Sequence, residues 1–283
     1  METKEIIYSD KTKSKVAIYG TGNNNITLIL LPAMGVRATF YNKFANNLSS
    51  LGFNVITADW RGQGYSSVRA SRTTNFGYKE YIKDIKELFD YTNIWFPDTK
   101  KIIVGHSLGG QIGSLIASRY SNLLSGLILI TSCNVYYKGW KNWSANKVYI
   151  AAKIFYPISK IIGFFPGNII GFGGKEARYV MKDWSNNGLN GTYKIANSNF
   201  DYEIALKKLR LPVLSISIEN DFLASKISVE NLYNKFNSES NIKHIHLAVN
   251  NKNMQPLNHF NWTKEPDYFS EIIKKWIIKN IKK

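Results

Sequence analysis

Lys100-Lys101-Ile102-Ile103-Val104-Gly105-His106-Ser107-Leu108-Gly109-Gly110, running on into Gln111-Ile112-Gly113-Ser114-Leu115-Ile116-Ala117-Ser118-Arg119-Tyr120, reads as a buried strand driven straight into a helix through a serine. The turn Gly105-His106-Ser107-Leu108-Gly109 has the Gly-x-Ser-x-Gly spacing of a nucleophile elbow. A serine held at a strained strand-to-helix junction needs nearly bare neighbours two before and two after it. Gly110 and Gly113 then let the helix lie close to the sheet. Three fixed positions in five are a weak signal alone. The β-type run before them and the helical run after them supply the context that the pattern demands, so Ser107 is the candidate nucleophile.

Outward from that turn, β-type runs occur at Lys15–Tyr19, Thr27–Leu31, Phe53–Ala58, Lys101–Val104, Leu124–Ile130, Val213–Ile218 and Ile242–Val249. Helical patterns lie at Phe40–Leu51, Tyr78–Trp95, Gln111–Tyr120, Ser225–Phe236 and Asp267–Ile281. Strands alternating with helices predict an α/β fold, a mostly parallel sheet flanked by helices. The asparagine clusters Asn23-Asn24-Asn25 and Asn250–Asn253 read as turns or loops.

The alternation fails across residues 134–209, between one strand and the next. That stretch reads as a cap or lid inserted into a core made of residues 1–133 and 210–283. It is dense in rings, among them Trp140, Trp143, Phe155, Phe172 and Trp184. A cap whose rings face an apolar substrate is the functional expectation, with Trp140 and Trp143 as candidate substrate-binding residues. A share of the rings is expected to form the cap's own small core.

In open α/β sheets ligands bind outside the carboxyl ends of the strands. A serine nucleophile needs a base, and the base needs a group that fixes its tautomer and stabilises its charged form. Of the four histidines, His106 sits inside the elbow, and His244 and His246 alternate within the last strand. His259 lies in the loop after that strand, where the chain order nucleophile, acid, histidine requires the base. The acid must end a strand between them. Thr131-Ser132-Cys133-Asn134 offers no carboxylate, whereas Glu219-Asn220-Asp221 offers two. Asp221 is preferred because Glu219 is pinned to the strand direction. The two N–H groups for a developing oxyanion are expected from Leu108, after the nucleophile, and from Met34 in the Pro32-Ala33-Met34-Gly35 loop. Pro32 has no N–H to give. Asp59-Trp60-Arg61-Gly62-Gln63-Gly64-Tyr65-Ser66 reads as a loop brace.

The 283 residues carry 44% hydrophobic and 20% charged side chains, ordinary for a globular protein. A single cysteine, Cys133, leaves no intrachain disulfide, which suits a reducing compartment. The start shows no apolar signal region and no stretch reaches a spanning length, so a cytoplasmic location is expected. The net charge of +17 is spread over every segment with no nucleic-acid-binding motif beside it. Transient contact with an anionic membrane surface is the partner class it leaves open. No ligand cluster calls for a metal, and no motif calls for an organic cofactor.

Together, the D-W-R-G-Q-G-Y-S loop, the G-H-S-L-G-G elbow, Asp221 and His259 resemble the α/β-hydrolase superfamily over essentially the whole chain. Pro32-Ala33-Met34-Gly35-Val36, Gly163-Phe164-Phe165-Pro166-Gly167, Ala177-Arg178 through Asp183-Trp184, and His259-Phe260 resemble an uncharacterised bacterial group of it that carries a helical cap. The resemblance implies Ser107 as nucleophile, His259 as base and Asp221 as acid. Two departures stand out. An Ala-Met pair replaces the usual His-Gly of the oxyanion loop, and Asn258 and Asn261 flank the histidine where small residues are more usual. The resemblance implies a hydrolase with a helical cap and no settled substrate. Read with the aromatic cap, the expected activity is a cofactor-free serine hydrolase of carboxylic esters, esterase- or lipase-like, with an apolar acyl substrate. An acyltransferase or thioesterase would use the same residues, and a non-catalytic binding protein is the third reading. A dehalogenase of this fold would want aspartate at position 107.

Overall fold

The computed structural model describes residues 1–20, 25–249 and 256–281. The turns expected at Asn23-Asn24 and Asn250–Asn253 lie outside them. In chain order the elements are β1 (Glu2–Ile7), β2 (Lys13–Tyr19), β3 (Ile26–Leu31), α1 (Asn42–Ser50), β4 (Asn54–Ala58), α2 (Tyr78–Trp95), β5 (Lys100–His106), α3 (Leu108–Arg119) and β6 (Gly126–Ile130). Then come α4 (Asn142–Ile162), β7 (Phe164–Pro166), α5 (Gly167–Ile170), β8 (Lys175–Ala177), α6 (Arg178–Asn190) and α7 (Tyr202–Lys208). The chain closes with β9 (Val213–Ile218), α8 (Lys226–Tyr233), β10 (Ile242–Leu247) and α9 (Pro266–Asn280).

Eight strands form one sheet in the order β1-β2-β4-β3-β5-β6-β9-β10. From β4 to β10 every pairing is parallel, while β1 and β2 run antiparallel at one edge. The central strands are apolar on both sides because both faces are covered. Leu28, Leu30, Ile102 and Val104 join α1 and α9 in one core. Ile29, Leu31, Ile103 and Leu129 face α2 and α3 in the other. The sequence pattern misses β1, whose Glu2-Thr3-Lys4-Glu5 start is largely exposed and looks polar. It is a strand because β2 supplies its hydrogen-bond partners.

The helix after the elbow begins at Leu108 rather than Gln111, so it includes two glycines that favour neither helix nor strand. The reason is distance. A Cβ on Gly105 would lie 2.4 Å from the backbone of Gly110, one on Gly109 2.1 Å from the Leu31 carbonyl oxygen, and one on Gly110 2.0 Å from the Ser132 hydroxyl. Tertiary contact overrides propensity there.

Residues 134–209 add no strand to the large sheet. Helix α4 packs against α6, and β7 and β8 pair as a two-stranded antiparallel ribbon. Helix α7 lies against α3, on the flank of the sheet. This segment meets the loop after β3 backbone to backbone: a Cβ on Gly35, at φ +71°, would sit 2.2 Å from the Gly174 nitrogen. Beneath that contact Glu176 is buried and accepts the Gly174 N–H at 2.8 Å and the Gln63 amide at 3.2 Å. Asp183 of α6 accepts the Tyr78 N–H at the start of α2 and the Ala196 N–H, at 2.9 and 2.6 Å. Burial raises both carboxyls, outweighing those hydrogen bonds, each to about 7.

The D-W-R-G-Q-G-Y-S run after β4 is tied in at four points. Asp59 accepts the Ala38 and Tyr65 N–H groups, and the Trp60 indole donates to the Pro32 carbonyl at 2.9 Å. Gln63 reaches Glu176. Arg61 is buried and makes a bidentate pair with Asp84 of α2, at 2.9 and 2.6 Å, and a further ion pair with Asp10 at 2.6 Å. Arg61→Met leaves the Asp84 carboxylate buried without its counter-ion, so a loss of about 3–5 kcal/mol in stability is expected, read as a lowered urea midpoint.

The acid Glu176 gives a pH test with a definite sign. Its folded value lies above its ordinary 4.5, so the folded state holds a proton that the unfolded state releases between 4.5 and about 7. Stability should therefore fall across that window as pH rises, by up to roughly 3 kcal/mol from this group. Glu176→Gln keeps an acceptor oxygen for Gly174 and cannot titrate. The variant is expected to match the native protein below pH 5 and to exceed it in urea midpoint at pH 8.

Candidate active site

The parallel strands β3, β5, β9 and β10 have their carboxyl ends at one edge of the sheet. Ser107 sits where β5 becomes α3, at φ +54° and ψ −116°. Such a conformation costs an ordinary residue about 1–3 kcal/mol and persists only where its surroundings hold it. Here they do: the Ser107 N–H donates to the Ile130 carbonyl at 3.0 Å, and its own carbonyl accepts the Gly110 N–H at 3.0 Å.

The His259 ring nitrogen Nδ1 lies 2.8 Å from Asp221 Oδ2, with both side chains buried. The other oxygen, Oδ1, accepts the backbone N–H groups of Leu223 and Ala224 at 2.9 and 3.1 Å. The carboxylate is thereby oriented, and as an acceptor it requires the proton of a neutral imidazole to sit on Nδ1, leaving the Nε2 lone pair unprotonated. Glu219, the other carboxylate after β9, instead accepts the Val249 N–H at 3.3 Å.

His259 is held from both sides. Asn258 accepts the N–H groups of Phe260 and Asn261 on its side-chain oxygen, at 2.9 and 2.8 Å, and Asn261 donates to the Pro256 carbonyl. The two asparagines that stand out beside the histidine thus tie its loop into a turn. The His259 carbonyl accepts from His106 Nε2 at 2.8 Å. His106 Nδ1 faces the Tyr41 hydroxyl at 2.7 Å, and that hydroxyl accepts the Ala33 N–H at 2.9 Å. Burial, then the neighbouring His259, pushes His106 well below its ordinary value and keeps it neutral. A neutral ring with one donor and one acceptor fits this chain of bonds end to end. Through it the elbow, the loop after β3 and the His259 loop are tied together, a connection with no sequence signal beyond the position of His106.

The loop after β3 therefore spends its Ala33 N–H on Tyr41. The Met34 N–H donates to no described residue, and neither does the Leu108 N–H at the start of α3. Both residues line a cavity of about 330 Å³, together with Ser107 and His259. Its walls are mostly apolar and come from the core (Leu223, Phe260) and from residues 134–209 (Val148, Phe155, Phe172, Trp184). Trp140 lines it too, its indole N–H fixed to the Phe222 carbonyl at 2.7 Å. Trp143 does not; it lies near the start of α4 and is 66% exposed. Trp140 precedes α4 and Trp143 is on it, and nothing in the order of rings along the chain tells the two apart.

Among the rings of this segment, Phe155 packs on Phe165, Phe172 and Trp184 with centroids 4.4 to 5.6 Å apart. One cluster thus forms both a core and a wall. Cys133 also lines the cavity, but burial pushes its thiol up to about 12, so it carries no thiolate near neutral pH. His244 and His246 are engaged by Ser217 at 2.8 and 2.7 Å. No group of three or more His, Cys, Asp or Glu among the described residues is placed to hold a metal ion.

A family model described as the alpha/beta hydrolase fold matches residues 26–246. Over 91 residues, 32% of each chain, the sequence is 31% identical to the monoglyceride lipase homolog of monkeypox virus. Over 93 residues it is 30% identical to lysophospholipase L2 of Escherichia coli strain K12, a stretch that is 31% of this chain and 27% of that protein. The matches thus span about a third or less of these relatives' length. Among solved structures, Est1E from Butyrivibrio proteoclasticus with ferulic acid bound superposes with a TM-score of 0.66 at 15% identity, covering 99% of this chain and 100% of that one. The order of the sheet, the strand-to-helix turn at Ser107 and the family match agree, and the chain belongs to the α/β hydrolase fold family.

Proposed function

We propose that the protein is a serine hydrolase that cleaves carboxylic esters of apolar acyl groups through an acyl-enzyme. The observation that carries this reading is the 2.8 Å contact from His259 Nδ1 to a doubly anchored Asp221. The cavity that His259 lines is the one that Ser107 lines. Ser107 Oγ attacks the ester carbonyl while His259 Nε2 takes its proton, and Asp221 stabilises the imidazolium. The carbonyl oxygen, now an oxyanion, accepts the N–H groups of Leu108 and Met34. Collapse breaks the bond to the alkoxide, to which His259 returns the proton, and water then repeats the sequence to release the acid. Residues 134–209 act as the cap that walls the acyl site. The apolar lining supports an acyl chain over a polar substrate, and similarity to a monoglyceride lipase homolog and a lysophospholipase points to monoacyl lipids.

Fluorophosphonate is expected to label Ser107, and Ser107→Ala to abolish labelling. Loss of nucleophile or base alone costs on the order of 10⁶ in turnover in a hydrolase of this kind, and loss of the acid about 10⁴. Ser107→Ala and His259→Ala should therefore be equally inactive, with Asp221→Asn measurably less so. A series in which Glu219→Gln is severe and Asp221→Asn mild would overturn the assignment of the acid.

The acyl site has its own test. Each buried methylene contributes roughly 0.8 kcal/mol. Lengthening an activated ester from about two to about six acyl carbons should raise kcat/KM by one to two orders of magnitude as the chain enters the cavity. A steady fall with length would mean that the rings fill the cap and leave room for small esters alone. A thioesterase or acyltransferase would reveal itself as preference for a thioester, or as transfer to an added alcohol that outcompetes water.

A further inference from the structure

Helix α4 carries a row of large apolar side chains that faces solvent. Trp143, Ile150, Ile154, Pro157 and Ile161 recur at steps of seven, four, three and four, which puts them on one stripe, and Lys147 lies between the first two, at the rim of the cavity. Trp143, Ile150, Ile154 and Ile161 are between 45% and 79% exposed. The opposite side of the same helix is already used: Ala152 and Ser159 are buried, and Val148, Ala151 and Phe155 line the cavity. The outward stripe is thus surplus to folding.

Two further observations set other exposed groups beside the same cavity. Ile169 and Ile170 of α5 are 78% and 58% exposed, and Gly171, next in the chain, lines the cavity. The exposed members of the cavity lining, Ser144, Lys147, Gly171, Phe222 and Phe260, mark its mouth. Apolar surface on this scale beside a cavity mouth is unusual for a water-facing region.

Charge identifies the partner. Residues 134–174 contain Lys138, Lys141, Lys147, Lys153 and Lys160 and no aspartate or glutamate. None of the five makes an ion pair with a described residue. Lys153 and Lys160 lie over the rings of Tyr149 and Tyr156 at 5.4 and 5.9 Å, so each ammonium sits beside a ring with a polar tip. Exposed Ile and Trp next to a line of lysines is the composition of a helix that lies in the plane of an anionic bilayer. A second copy of the chain fits poorly, since a two-fold contact would bring two lysine-bearing faces together with no carboxylate in residues 134–174 to meet them. No described helix is long and apolar enough to cross a membrane, which leaves a surface-lying arrangement.

We propose that the α4–α5 face docks the protein on an anionic lipid surface, with the cavity mouth toward the bilayer. The isoleucines enter the boundary between headgroups and acyl chains, and the lysines meet the lipid phosphates. This inference goes beyond the ester-cleaving reading and is tested without turnover.

The experiment is co-sedimentation of Ser107→Ala protein with vesicles of equimolar phosphatidylglycerol and phosphatidylcholine, and with phosphatidylcholine alone. Binding is expected on the anionic vesicles, at least about tenfold weaker on neutral ones, and weakened as salt rises to about 0.5 M. Ile161→Glu with Ile169→Glu should lower partitioning at least about tenfold, as should Lys153→Glu with Lys160→Glu. None of these four lines the cavity, so the same changes made with Ser107 intact should leave hydrolysis of a short, water-soluble ester as it was. That control separates a failed surface from a failed active site. Equal binding of the native and substituted faces, or no binding to anionic vesicles, would overturn the proposal. So would a face that instead forms a dimer in sedimentation velocity and is dispersed by the same substitutions.

Discussion

The turn at Ser107 is the constraint that the rest of this molecule accommodates. A serine at φ +54° cannot hold that conformation alone. Strand β5 and helix α3 pin it only because three glycines allow backbones to approach to distances that any side chain would block. The approach has consequences on every side. It brings the Leu31 carbonyl against Gly109 and the Ser132 hydroxyl against Gly110, fixing the ends of β3 and β6 relative to the elbow. The central strands are therefore in register where their loops must meet.

His106 carries that order outward. It is the residue before the strained serine, fully buried and uncharged, with each ring nitrogen committed to a different loop. A charged imidazole in this place would need two acceptors, and the Tyr41 hydroxyl already spends its proton on Nδ1 once the ring is neutral. Trp262, Tyr41 and Phe260 surround the ring and keep water from competing for those bonds. The result is a site whose Ser107 and His259 lie outside strands and helices, with their loops and the loop after β3 tied together by these bonds among the described residues. Asn258 and Asn261 add to this by closing a turn around His259.

The segment of residues 134–209 is joined to the core differently. Its contacts use buried carboxylates, Glu176 and Asp183, that accept backbone N–H groups and form no ion pair with a described residue. Such groups are neutral-prone and make the seating of this segment more sensitive to pH than the sheet beneath it. Arg61 shows the contrast: in the core loop a buried charge has two carboxylate partners. The outer side of the segment bears apolar and basic residues in a pattern that folding does not require, and its inner side shares one ring cluster between packing and cavity wall.

The sequence by itself determined the alternation of strands and helices, the elbow and the fold class, because each rests on short-range patterns: continuous apolar runs, helical spacing, and glycines at fixed distances from a serine. Helix α2 coincides with its expected bounds, Tyr78–Trp95. Chain order also singled out His259 and Asp221 for inspection, and the structure sets them 2.8 Å apart. What only the tertiary structure decided involves partners far apart in the chain. Strand β1 exists because of β2, and the role of Tyr41 appears only when His106, 65 residues on, comes within 2.7 Å of it. Which rings face the cavity was equally hidden. Trp140 and Trp143 are three residues apart and chemically alike, yet one is buried at the cavity and the other is exposed on α4. A helix assigns its sides only when something packs against it, and for α4 that is α6, far along the chain.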